Sequence, residues 1–233
     1  MTKVPWWTKS KANRKVHEAT YHGQCISVDQ MESTQKGFFA QLKDKLTTRY
    51  YKATTIFVDH YSCLQYVHLM MSLTSMETFE AKDAFKWFAA DHGVKVKQYH
   101  ADNGCFADNA FKHRCDQHRQ LISYCGINAH FQNGIAERAI RDMTESARTM
   151  LLHAKAQWPS AIHLCLLSHA LQCAVYIYNT DPVLLNQRSR LELFQASTLD
   201  LGWGIIMNLG VWCWLYRIVQ RQSQVVTTIT SWP

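Results

Sequence analysis

Two hydrophobic periods alternate along the chain. Residues 25–30 (CISVDQ), 51–59 (YKATTIFVD) and 64–71 (LQYVHLMM) are apolar and β-branched at the period of extended chain, and each predicts a strand. The connector 60–63 is short enough to close a hairpin between the second and third. Residues 76–91 set Phe79, Ala81, Ala84, Phe85, Phe88 and Ala89 on one helical stripe, and His92-Gly93 supplies the stop. Alternation returns over 94–100, and Ala101-Asp102-Asn103-Gly104 predicts a turn. A short helix over 107–119, a short strand over 121–125 and an irregular loop over 126–133 follow. Ala136, Ala139, Ile140, Met143, Ala147, Met150 and Leu151 then mark a long amphipathic helix over 135–153. A last helix follows Trp158-Pro159 and ends near Asn179, before Asp181-Pro182. The order β, β, β, α, β, α, β, α, α predicts an α/β domain, a mixed five-stranded sheet covered by helices.

Composition narrows the class. The 233 residues are 47% hydrophobic, enough for a real core. The net charge of +7 favours a polyanionic partner such as nucleic acid. Within 1–20, Lys3, Lys9, Lys11, Arg14 and Lys15 face one acid, Glu18, with Trp6 and Trp7 among them. Such an arm can lie on phosphates with indoles free to stack, or can be a plain solvated terminus. The eight cysteines form no C-x-x-C pair and read as buried or free thiols in a reducing compartment. His17, His22 and Cys25 complete no four-ligand set, so no zinc is expected. No apolar run reaches 18 residues and the N-terminus has no apolar signal core, so the expectation is a soluble protein with no membrane partner. Beyond Asp200 the only charges are Arg217 and Arg221, and Trp203, Trp212, Trp214 and Trp232 crowd in. That composition does not continue the preceding domain.

Three acids stand where such a sheet presents a site. Asp29 ends the first strand, Asp102 follows a later one, and Glu137 lies in the first turn of the long helix. Carboxylates at strand ends and a helix start can converge though remote in sequence. Hard cations such as Mg2+ take oxygen ligands, and two of them about 3.5–4 Å apart serve in-line phosphoryl transfer. Each acid also has an ordinary structural use. Asp29 can cap a turn, Asp102 suits any D-N-G turn, and Glu137 can pair with Arg141 at i+4.

The motifs H-A-D-N-G at 100–104, Q-N-G-I-A-E-R-A-I-R at 132–141 and N-T-D-P-V at 179–183, with S-R-L-E-L-F at 189–194, resemble the catalytic core of retroviral-type integrases, specifically the copia-type retrotransposon branch. The resemblance runs from about residue 9 to 196. It implies a ribonuclease H-like fold whose D, D, E triad binds Mg2+ or Mn2+, as two ions. It places the second acid on Asp102 and the third on Glu137. Asp59, in F-V-D-H-Y-S, is conspicuous, but the family's first acid belongs to the opening strand, so that role is carried to Asp29. The implied activity is 3′-end processing of element DNA and strand transfer into target DNA by a multimer, which places the protein in the nucleus, or also in the cytoplasm. The segment 126–134 looks like the mobile loop beside the site, with Gln132, Asn133 and Gly134 as DNA contacts. Arg138, Arg141, Lys9, Lys11, Arg14 and Lys15 are expected to hold phosphate.

Several features depart from the family. The step from Asp102 to Glu137 is one position short, and His130-Phe131 stands where proline is common. The resemblance begins after the family's zinc-binding module and stops near Ala196. The expected organisation is therefore a basic arm at 1–22, a catalytic core at 23–197 and an atypical tail at 198–233, a product of frameshift or decay. A catalytically inactive fragment that only binds nucleic acid, and a ribonuclease H-like nuclease, are the rival readings.

Overall fold

The protein is described by a computed structural model covering residues 19–39, 48–102, 104–126, 133–182 and 188–195. Five strands form one sheet: β1 (Ile26–Gly37), β2 (Tyr51–Asp59), β3 (Gln65–Met70), β4 (Gln98–Ala101) and β5 (Leu121–Tyr124). The helices are α1 (Ser75–Asp91), α2 (Asn109–Gln117), α3 (Gly134–Gln157), α4 (Leu167–Thr180) and α5 (Arg190–Phe194). The sheet order is β3-β2-β1-β4-β5. β1, β2 and β3 pair antiparallel, while β1, β4 and β5 run parallel. This is the mixed, helix-flanked sheet the sequence pattern predicts.

The sheet separates two apolar layers. Val28, Phe57 and Tyr99 pack with Phe85 of α1 and Phe111 of α2 on one face. Ile56 and Val58 pack with Met143 of α3 and Leu171 of α4 on the other. Alternation along β1 and β2 decides which layer each residue joins. Among the described residues no helix is long and apolar enough to cross a membrane.

Element boundaries differ from the expectation where local chemistry intervenes. β1 runs seven residues past Gln30 because its polar half still pairs with β2, although exposure there removes the hydrophobic alternation. β4 is shorter than 94–100. The Val94 N–H donates to the Ala89 carbonyl behind α1, and the Lys97 N–H to Gly23, so the lead-in turns before it pairs. Gly23 is needed there: its φ is +74°, and a Cβ would lie 2.6 Å from Val94 Cγ1. The last long helix begins only at Leu167, after a 3-10 turn at Leu164–Leu166. α5 was not anticipated. Ser189 and Glu192 form its capping box, and the S-x-x-E spacing is the signal that marks it.

The N-T-D-P segment has a structural use. The Asn179 amide accepts from Gln65 N–H (3.0 Å) and donates to Gln65 O (2.6 Å), clamping α4 to edge strand β3. The arm at 1–18 and the tail at 198–233 lie outside the described residues.

Candidate active site

The site begins in the register of two parallel strands. Ser27 lies opposite His100, and Val28 opposite Ala101. Asp29 and Asp102 are the next residues on each chain. Val28 and Ala101 face the layer beneath α1 and α2, so alternation sends Asp29 and Asp102 to the opposite face, where α3 packs. Neighbouring strands stand about 4.8 Å apart, which makes the two carboxylates side-by-side neighbours. β5 extends the row. Ala101 lies opposite Tyr124, and Cys125 N–H donates to Ala101 O (3.0 Å). Asp29 does not end β1, as the sequence suggests, since that strand runs on to Gly37; it stands where the parallel pairing with β4 stops, while Asp102 and Cys125 lie just past the carboxyl ends of β4 and β5, where open α/β sheets present their sites.

The third acid comes from α3. Glu137 is exposed in the first turn of that helix, where the helix dipole favours negative charge. The helix start is held to β1 by Asn133, whose Nδ2 donates to Val28 O at 3.2 Å. On the Asp102 side, Gly104 N–H donates to the Asp102 carboxylate at 3.1 Å. A Cβ at Gly104 would lie only 3.1 Å from that oxygen, so the glycine leaves the carboxylate room.

Electrostatics tie the three together. The Asp29 carboxyl is pushed up to about 6, first by burial, then by the charges of Asp102 and Glu137, against an opposing hydrogen bond from Gln30 N–H. Burial raises the Cys125 thiol, and Asp102, Glu137 and Asp29 raise it further. Cys105 is pushed to about 11 by burial and then by Asp102. Negative potential from all three acids therefore meets at one place. Oxygen donors with an excess of like charge are the chemistry that a hard divalent cation relieves. Among the described residues, however, no three acidic, histidine or cysteine side chains are drawn into one ligand sphere. The donor types suit Mg2+: three carboxylates, two carried next to each other in the parallel register of β1 and β4 and one on α3.

Asp59, the alternative first acid, is built differently. It lies opposite Ile26 at the other end of the shared register, on the face away from α3. It is 0% exposed and accepts from Gly23 N–H, Ser62 N–H and Ser62 Oγ at 2.7–2.8 Å. It ties down the chain entering β1 and the hairpin turn.

The expected nucleic-acid contacts divide. Gln132, Lys9, Lys11, Arg14 and Lys15 lie outside the described residues. Arg138 and Arg141 are exposed, and Arg141 makes a long 3.8 Å ion pair with Asp142, both side chains more than half exposed. Such a pair holds the arginine weakly. Gly134 opens α3 with open space around it. Asn133 corrects the expectation: it is 1% exposed and turned inward to β1, so it does not face a DNA surface. Cys125 was not singled out by the sequence, because its place beside Asp102 depends on strand register.

No family model and no curated protein matches the sequence. Solved structures do match. The HTLV-2 integrase catalytic core domain, in complex with magnesium in a trimeric form, superposes with a TM-score of 0.54 at 18% identity, covering 75% of this chain and 98% of that one. The fold is that of retroviral integrase catalytic cores. The catalytic core domain of BIV integrase gives a TM-score of 0.51 at 16% identity, over 75% and 95% of the two chains. A simian T-cell lymphotropic virus intasome gives 0.56 at 17% identity over 79% of this chain and 58% of that one. Two of the candidate acids are thus carried by the neighbouring interior strands β1 and β4, and the third by α3, which packs against β1 and β2.

Proposed function

We propose that the chain is an integrase-type polynucleotidyl transferase domain of a copia-type retrotransposon, acting on DNA with Mg2+ or Mn2+. The observation that carries this reading is that Asp29 and Asp102 each follow the last pair, Val28 and Ala101, of two adjacent parallel strands, with the charge of Glu137 acting on Asp29. Asp29 and Asp102 would hold the cation from the sheet, and Glu137 would join them from α3. Divalent cations of this kind, when bound, make water or a sugar hydroxyl a better nucleophile and neutralise charge on the phosphate. Arg138 and Arg141, exposed on the same stretch of α3, would hold phosphate oxygens and orient the strand. One set of carboxylates serves both end trimming and strand transfer, since both are in-line displacements at phosphorus. HTLV-2 integrase cores in trimeric and dimeric form and a simian T-cell lymphotropic virus intasome share the fold, which supports self-association; action on element DNA would place the protein in the nucleus.

A second reading is a fragment that binds nucleic acid without catalysis. It is favoured by the lack, among the described residues, of three acids drawn together. The deciding experiment incubates the full chain with blunt duplex DNA, a target plasmid and Mn2+. Joined strands that vanish in Asp102→Ala and Glu137→Ala support the transferase. Cut ends without joining select a nuclease, and salt-sensitive binding alone selects the inactive fragment.

A further inference from the structure

Asn133 occupies the N-cap of α3 yet does not cap it. Asparagine is among the preferred N-cap residues because its side-chain oxygen accepts from an N–H of the first turn. Here no such bond forms, and φ and ψ are −88° and 15°. The amide points into the sheet instead, with Nδ2 3.2 Å from Val28 O. Its Oδ1 is buried without a hydrogen-bond partner among the described residues. A buried acceptor left unsatisfied is destabilising. Capping would have satisfied that oxygen and a helix N–H at once. The backbone of Asn133 is in a 3-10 turn and not in the extended form of a capping residue, so its amide serves a link between two elements instead.

The two ends of that link are informative. Val28 immediately precedes Asp29 and lies opposite Ala101, which immediately precedes Asp102. Asn133 lies one helical turn before Glu137. The bond thus joins the backbone under the two sheet carboxylates to the root of the helix that carries the third.

We propose that Asn133 is a positioning residue whose amide latches α3 to β1 and sets the reach of Glu137 toward Asp29 and Asp102. It acts through Glu137 and touches neither metal nor DNA. The proposal rests on the carboxylate site proposed above.

The test measures Mn2+ affinity of the full chain by calorimetry, with folding checked by circular dichroism. Asn133→Ala removes the latch. Asn133→Asp keeps the shape but loses the donor, and serves where the alanine variant does not fold. Asn133→Gln retains an amide donor. The alanine and aspartate variants are expected to bind Mn2+ about tenfold more weakly, as outer-shell changes do, while the glutamine variant recovers part of that loss. In Glu137→Ala, adding Asn133→Ala should cause no further loss, since coupled residues are non-additive. Wild-type Mn2+ affinity in Asn133→Ala, beside weakened binding in Glu137→Ala, overturns the latch and leaves the site reading intact. Unchanged binding in Glu137→Ala overturns both. Metal-independent loss of duplex binding in Asn133→Ala, with Mn2+ affinity preserved, returns the residue to the DNA surface and also overturns the latch.

Discussion

Asp29 and Asp59 are both aspartates near the ends of apolar runs, and their surroundings give them opposite duties. Asp59 has its charge consumed by three buried donors. Asp59→Ala strands those donors, and a loss of about 2–4 kcal/mol in chemical denaturation is expected. Asp29 accepts from the adjacent Gln30 N–H and is raised by burial and by the charges of Asp102 and Glu137. Its folded pKa of about 6 exceeds the ordinary 3.8, so the fold binds this proton more tightly than the unfolded chain does. That contribution to stability is complete below about pH 4 and is lost as pH rises through about 6. Urea midpoints of the metal-free protein should show the decline, and Asp29→Asn should remove it. A wild-type profile without that decline would contradict the electrostatic coupling. The sequence alone could not separate the two acids, because the register that puts them on opposite faces of the sheet is not written in either strand.

At the scale of elements, patterned stretches were legible and pairing was not. The apolar stripes of α1 and α3 and the β-branched runs of β2 and β3 declare themselves, since burial on one face dictates residue type. The polar second half of β1 does not, because only backbone bonds to β2 hold it extended. α5 is too short for a stripe and is set by its capping box. Asn179 belongs to the same class of hidden link: an apparent turn residue whose amide joins α4 to the sheet edge. Asn179→Ala should cost about 1–3 kcal/mol in urea denaturation by leaving Gln65 backbone groups unpaired. Mn2+ affinity should stay as in the wild type, since this clamp lies at the opposite edge of the sheet from β4 and β5.

Over the whole molecule, a net charge of +7 accompanies a local concentration of acid where the pairing of β1 with β4 stops. On the proposed function, the positive field would draw in a polyanion, while the acidic point would repel it until a cation intervened. Duplex affinity should therefore fall linearly with salt on a log–log plot, and Arg138→Ala or Arg141→Ala should each lower the slope by about 1. Titration by fluorescence anisotropy at several salt concentrations reads this directly, and a slope unchanged in both variants would exclude these arginines from phosphate contact. The motifs made Asp102 and Glu137 visible in the sequence. How far apart they stand was invisible, because it depends on the angle and depth at which α3 meets the sheet.

β1 is an interior strand, bonded to β2 on one side and β4 on the other. Asp29 is consequently anchored to the interior of the sheet, and Glu137 rides on a helix whose first turns are held by the Asn133 amide and by the buried Ala136 and Ala139. On the proposed function, closure around an ion would be a small swing of the helix and not a deformation of the sheet. Amide hydrogen exchange should slow in the opening turns of α3 on adding Mn2+ and hold constant across β1 and β4.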